Sequence, residues 1–298
     1  MAHVAATLST CLPKQQARSR GRSRLRCCVS ASAGPETGTV LVAGATGGVG
    51  QLSVAYLLSQ GYTVRAMVRD RQKAETLFAA PSAPRLELVV ADTRTRSSLS
   101  QDVVSGLDGV ICCTGTTAFP SSRWAGDNGP EQTDAVGVGH LVDAVAAHSP
   151  RLQRFVLVSS VGVLRTGQLP FSILNLGGVL TAKAKGEAAL QRSGLPWTIL
   201  RPGRLTDGPY TSYDLNTLLK ATAETRRKPQ LALDDTLTPQ ESSRLVVASA
   251  AVAALRSAAA VSKCFNVGSV EGQGISGDGG DAWQKAWDAA FAGARRAA

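Results

Sequence analysis

An α/β fold, a doubly wound parallel sheet with helices on both faces, is predicted by three features of this 298-residue chain. Short β-branched runs alternate with helical stretches from residue 39 to residue 268, and strands separated by helices imply right-handed crossovers and parallel pairing. A turn carrying Gly44, Gly47 and Gly50 joins the first strand to the first helix. With 44% hydrophobic and 18% charged residues the chain can bury a real core, which excludes a disordered or collagen-like polymer.

The elements follow in order. The apolar run Thr39 to Ala43 is a strand, Gly48 to Ser59 a helix, Tyr62 to Val68 a strand and Gln72 to Ala80 a helix. Leu86 to Val90 is the third strand, Ser97 to Ser105 a short helix, and Gly109 to Cys113 the fourth strand. Turn residues fill Thr114 to Pro130. Glu131 to His148 is helical, Phe155 to Val158 a strand, Val179 to Gln191 a helix and Trp197 to Leu200 a strand. Pro239 to Arg256 is helical, Cys264 to Val267 is the last strand, and Pro170 to Leu180 is apolar, with core as its default. Beyond a glycine-rich run, Gly268 to Gly280, Trp283, Trp287 and Phe291 recur every fourth residue. That stripe belongs to a terminal helix docking on its own core, ahead of one that binds a partner.

Charge is unevenly placed. Lys14, Arg18, Arg20, Arg22, Arg24 and Arg26 supply six of the ten surplus positive charges, with no acid before Glu36. This Arg- and Ser-rich stretch without an apolar core reads as an organelle transit peptide, plastid ahead of mitochondrion, with small residues around Cys27 to Ala33 as its processing region. The expected division is residues 1–33 as transit peptide, 34–268 as a single dinucleotide-binding domain with a small C-terminal substrate lobe, and 269–298 as glycine-rich linker and amphipathic helix. The remaining positive surplus is small and no basic stripe is interleaved with aromatics, which argues against nucleic acid. No uncharged apolar run reaches the roughly 18 residues a spanning helix needs, leaving peripheral attachment as the form of any membrane contact. Cys112, Cys113 and Cys264 read as buried thiols, and His140 and His148 have no ligand partners at metal spacing, so no metal site is expected.

The glycine turn carries the chemistry. Gly44 permits the tight bend, Gly47 lets backbone approach a pyrophosphate, and Gly50 lets the helix pack closely. Thr46, Gly48 and Val49 complete the segment whose N–H groups and helix dipole face the phosphates. The second strand ends in Arg69 rather than an acid, with Arg65 earlier in the same strand. A guanidinium suits a 2′-phosphate through paired donors, so NADP(H) is expected over NAD(H), with Asp70 read alternatively as a helix cap.

The spacing G-x-x-G-x-x-G resembles the extended and atypical short-chain dehydrogenase/reductases, including NmrA-like proteins. Four further segments agree: Arg65 to Asp70, Ala91 to Thr93, Val158 to Gly162, and Trp197 to Gly203. The whole is similar to chloroplast NAD(P)-binding Rossmann proteins of plants and algae, and to the dehydrogenase-like part of a chloroplast import translocon subunit. The resemblance implies adenine contacts at Asp92 and Thr93, a cofactor path lined by Thr114, Gly115 and Thr116, and Ser159 and Lys185 near the nicotinamide.

Typical members place a tyrosine four residues before the lysine. Here Thr181 precedes Lys185 and Val179 precedes Lys183 at that spacing. A threonine hydroxyl is too weak an acid to replace a phenol, so ketone chemistry by the usual route is not expected. A quinone, flavin or linear tetrapyrrole stabilises its own charge after hydride arrival and needs no such group. The loop Arg201 to Tyr213 reads as a lid whose Tyr210 or Tyr213 stacks on a planar ligand or supplies the missing acid, against a rigid turn with packed tyrosines. The catalytic candidates are thus Ser159, Lys185 and Tyr210. Two functional readings stand: an NADPH-dependent plastid reductase of a conjugated planar acceptor, and a non-catalytic NADP(H)-binding sensor or assembly factor in a chloroplast complex.

Overall fold

The structure, a computed structural model, describes residues 38–78, 84–117, 119–120, 124–205, 228–236, 241–275 and 279–296. The basic N-terminal segment, Tyr210 and Tyr213 lie outside the described residues.

Five mostly apolar runs make up one side of the sheet, including one edge: β1 (Thr39–Ala43), β2 (Thr63–Val68), β3 (Leu86–Val90), β4 (Gly109–Cys112) and β5 (Arg154–Val158). β6 (Trp197–Pro202), β8 (Lys228–Leu233) and β10 (Lys263–Val270) complete it, while β7 (Arg204–Leu205) and β9 (Glu241–Ser242) form a separate pair. Among the described residues the order is β3-β2-β1-β4-β5-β6-β10-β8. All neighbours run parallel except β10 with β8. The fold is a Rossmann-like, mostly parallel sheet in one domain with a C-terminal helix.

Strand parity divides the core into two layers. Val40 and Val42 of β1, Ile111 of β4 and Val156 of β5 face the side covered by α1 (Gly48–Ser59), α7 (Arg244–Ala254) and α8 (Asp281–Gly293). Leu41, Ala43, Val110, Cys112, Phe155 and Leu157 face the other side, under α3 (Gln101–Val104), α4 (Gly137–His148) and α6 (Val179–Arg192). Strands buried on both faces are apolar at most positions, which is why their runs are near-continuous rather than alternating.

Differences from the sequence reading have local causes. β8 was not anticipated: Pro229 interrupts its run, but an edge strand tolerates the missing donor. The helix expected from Pro239 begins only at Arg244, because Glu241 and Ser242 pair with Arg204 and Leu205. The helix expected from Glu131 opens as a π-turn, Glu131–Val136, before becoming α4. The helix near Ser97 divides into a 3₁₀ turn, Arg96–Ser98, and α3, while α2 spans Arg71–Leu77. The aromatic stripe docks at home: Trp283, Trp287 and Phe291 are at most 2% exposed, against Tyr56 and Phe265. Of the apolar stretch, Phe171, Val179 and Leu180 are buried, whereas Ile173 and Leu176, at 51% and 81% exposure, are not.

The segment after β5 is tied to the end of β8 by Asp235. Its carboxylate accepts the backbone N–H of Gly162 (2.8 Å) and Leu164 (2.9 Å) and the Arg165 guanidinium (3.2 Å). Burial opposes its charge, yet these donors outweigh the penalty and hold the carboxyl below the usual range. A carboxyl depressed on folding contributes stability that is complete above its unfolded pKa, about 3.9, and is lost as pH falls through the lower folded value. Melting temperature is expected to drop below about pH 4, and Asp235→Asn to flatten that drop while destabilising the chain at pH 7 by roughly 1–3 kcal/mol. Thermal melts from pH 2 to 7 on both proteins check this.

Candidate functional site

Chain topology brings the carboxyl ends of the parallel strands, and the loops that follow them, to one edge of the sheet. There the first turn is shaped by its glycines. Gly44 has φ +76°, and a Cβ on it would lie 2.9 Å from the Cys113 carbonyl carbon. A Cβ at Gly50 would overlap the Gly44 carbonyl oxygen. Gly47 caps α1 without a side chain, and no acid occupies the helix's first turn. The first-turn N–H groups, which a helix cannot satisfy itself, and the positive dipole end are therefore presented at a glycine surface. Gln51 fixes the turn by donating to the Thr46 carbonyl at 2.8 Å, and Val49 is buried beneath it.

The tips of β2 and β3 form the next part of the edge. Arg69 is exposed and donates to the Asn128 side-chain oxygen at 2.6 Å. Asp70 caps α2 by accepting the Lys73 N–H, as its alternative reading had it. Arg65 points elsewhere, to Glu87 and to the Val103 and Ser105 carbonyls, where it fastens β2 to the neighbouring elements. Asp92 is held below the usual carboxylate range chiefly by the Arg94 side chain, against opposing burial, with Arg69 adding to the positive field. Thr93 is 4% exposed, and its carbonyl faces Nδ1 of His140 at 3.0 Å.

A small pocket lies beyond β4 and β5, lined by Thr114, Asp134, Val138, Leu157, Val158, Ser159 and Lys183. Lys183 Nζ donates to Asp134 Oδ1 at 2.6 Å, with the lysine side chain 12% and the aspartate 1% exposed. The other Asp134 oxygen accepts the Thr116 backbone N–H at 3.1 Å and the Thr116 hydroxyl. Gly115 makes room for this pair, since a Cβ there would lie 2.9 Å from Lys183 Nζ. Gly186 lets α6 approach the π-turn, because its Cβ would overlap the Asp134 carbonyl. The turn thereby aims Asp134 inward, a use to which π-turns at functional sites are often put. One helical turn past Lys183, Glu187 forms a buried bidentate pair with Arg201 of β6 (3.0 and 2.6 Å), which fixes the rotation of α6. The Ser159 hydroxyl is buried in the pocket wall without a hydrogen-bond partner. Thr114 Oγ1 lies 3.1 Å from Cys112 Sγ, and burial pushes the Cys112 and Cys113 thiols up and Cys264 up to about 11, so none is a ready nucleophile.

The structure brings Ser159 and Thr114 to the pocket and Thr116 and Gly115 to its aspartate, but it does not bring Lys185 there. Lys185 is 56% exposed and pairs with Glu131 on the outer face, where Thr181 also lies, bonded to Asn175. Lys183 takes the inward position, with buried Val179 four residues before it. Asp134 was not singled out from sequence. The burial period of α6 separates the two lysines, since Val179, Ala182, Lys183 and Gly186 share a face that Lys185 does not. Tyr210 lies outside the described residues.

A family model described as NAD(P)H-binding matches residues 44–258. Protein TIC 62, chloroplastic, of Arabidopsis thaliana is 36% identical over 230 residues, covering 72% of this chain and 33% of its own length. Sanguinarine reductase of Eschscholzia californica is 29% identical over 268 residues, covering 78% of this chain and 89% of the relative. The chain thus spans only a third of the TIC 62 protein. Among solved structures, a putative NAD-dependent epimerase/dehydratase from Bacillus halodurans superposes with a TM-score of 0.61 at 23% identity over 80% of this chain and 95% of its own, a likeness of fold. The cradle fits the cofactor on its own geometry: glycines whose side chains would fill it, an uncapped helix start, and a buried hydroxyl left unpaired at the pocket.

Proposed function

From a chain that belongs to the NAD(P)H-binding family of atypical short-chain-dehydrogenase-like Rossmann proteins, we propose an NADP(H)-dependent plastid reductase of a conjugated, planar acceptor of quinone, flavin or tetrapyrrole type. The observation that carries this is the side-chain arrangement beyond β4 and β5: Lys183 and Ser159 line the same small recess, while buried Val179 stands four residues before Lys183, in the place of the usual phenol. The bound nicotinamide supplies hydride. Gly44 to Gly50 cradle the pyrophosphate, Arg69 pairs with the 2′-phosphate, and Asp92 and Thr93 border the adenine. Lys183, oriented by Asp134, and Ser159 hold the ribose and carboxamide end through their remaining donors. Val138, Leu157 and Val158 keep water from the reacting face. An acceptor that delocalises its own negative charge takes its proton from water or from the Lys183 ammonium, so no phenol is required.

A relative named as a reductase, together with a basic leader and a relative named as chloroplastic, supports turnover in a plastid. Full-length protein with NADPH should oxidise it in the presence of at least one member of a panel of short-chain quinones, flavins and linear tetrapyrroles. Silence across the whole panel would overturn the reductase reading. Arg69→Ala is expected to weaken NADPH binding about 10- to 100-fold and to leave NADH unchanged, as a charge-assisted phosphate contact requires, which parallel fluorescence titrations check.

The second reading is a non-catalytic NADP(H) sensor or assembly factor in a chloroplast complex. Its observation is an apolar surface on the segment after β5, where Leu164, Leu169, Ile173 and Leu176 are each more than half exposed. The terminal helix no longer supports it, having spent its aromatic face on the core. A stoichiometric complex from chloroplast extract that is lost in Leu169→Ser/Leu176→Ser, with no acceptor active, is the outcome that favours this reading.

A further inference from the structure

Residues 124–129, which lead into the π-turn before α4, are anchored at both ends. At one end the Asn128 side-chain oxygen accepts from Arg69 at 2.6 Å, and the Gly126 carbonyl accepts from Arg94 at 2.9 Å. At the other end the Trp124 indole is packed on Gly177, where a Cβ would overlap the ring. Arg69 and Arg94 follow β2 and β3, whereas Gly177 precedes α6. The residues between these anchors therefore run from the tips of β2 and β3 to the segment that precedes α6. Its bend is set by two successive left-handed residues, Gly126 (φ +66°) and Asp127 (φ +58°). The Asn128 amide is oriented by donating to the Ala125 carbonyl at 2.6 Å, which leaves its oxygen to face the guanidinium.

We propose that residues 124–129 are a strap that reads the 2′-phosphate, with Asn128 as a specificity-determining residue that the phosphate displaces from Arg69. This rests on the NADP(H) reading above. A phosphate accepts from a guanidinium through paired, charge-assisted bonds that a neutral carboxamide cannot match. A ribose 2′-hydroxyl carries no charge and leaves the Arg69–Asn128 bond in place. Only the phosphorylated dinucleotide therefore frees the Asn128 end of the strap, while the Arg94 contact at Gly126 keeps it attached as a hinge. The other end carries Trp124, packed on Gly177 just before α6, so the identity of the nucleotide at the adenine end reaches the segment that leads into α6.

The test is titration of the full chain with NADPH and NADH for wild type, Asn128→Ala and Asn128→Asp, with amide-proton exchange of the 124–134 segment as an independent readout. Removing the competitor in Asn128→Ala should tighten NADPH about three- to tenfold, and a carboxylate held against Arg69 in Asn128→Asp should weaken it about tenfold or more. NADH should be unmoved by either change. Exchange in the segment should quicken with NADPH and not with NADH. If both variants weaken NADPH, Asn128 is a phosphate ligand and the strap is overturned. Equal effects on the two nucleotides, or equal exchange with both, overturn it as well. A wild type that does not distinguish NADPH from NADH overturns the NADP(H) reading and takes this inference with it, a result separate from any behaviour of the variants.

Discussion

Lys183→Met is expected to destabilise the chain by about 3 kcal/mol and to reduce NADPH oxidation at least 100-fold. The first effect comes from Asp134. Its side chain is 1% exposed, and without the ammonium 2.6 Å away its charge is left with the Thr116 N–H and hydroxyl alone. Removing one partner of a buried pair costs more than the pair contributes, because the survivor remains desolvated. Asp134→Asn in the same chain should therefore recover a large part of the stability. It should not recover turnover, since the group proposed to hold the nicotinamide end is still missing. Urea denaturation of the single and double variants, set beside steady-state rates, separates the two effects. Unchanged stability in Lys183→Met would mean that the ion pair is not the buried contact described.

Gly50→Ala is the second large effect. The added Cβ would overlap the Gly44 carbonyl oxygen, a collision between backbone groups that no side-chain rotation relieves. Either α1 shifts away from β1 or the turn opens, and overpacking of this kind costs about 3 kcal/mol. The N–H groups at the helix start move with it, so NADPH affinity should fall more than tenfold. Gly139→Ala is the control: it lies within α4, where a Cβ meets nothing within 4 Å, and should stabilise the chain by up to about 1 kcal/mol. Parallel melts and NADPH titrations give both numbers. Equal behaviour of the two variants would show that the close approach at Gly50 does not govern the turn.

The alternation of strands and helices was legible because doubly buried strands are apolar at most positions, and the glycine turn because backbone approach leaves no substitute for glycine. The positions of Arg69 and Asp92 follow from the strand boundaries, since both stand just past β2 and β3 at the carboxyl edge. Asp134 was not, since its direction depends on a π-turn, and nothing in Glu131 to Val136 distinguishes such a turn from an ordinary helical start. Spacing alone points to Lys185, whereas the burial period of α6 turns Lys183 inward. Four residues back from Lys185 is a hydroxyl, which resembles a degenerate catalytic pair, but only Lys183 shares the buried face of α6 with Val179 and Gly186. β8 escaped notice because its proline is acceptable only at an edge, and edge position is decided by tertiary pairing.

The central claim is that the glycine turn, Arg69 and the Ser159–Lys183 pocket together hold a reduced, phosphorylated dinucleotide. Titration of the full chain with NADPH and with NADH, following the fluorescence of the reduced nicotinamide, tests it most directly. Saturable binding of both is expected, with NADPH tighter by about tenfold or more. Absence of binding for either nucleotide would contradict it, and would turn the glycine turn into a packing feature of the sheet edge.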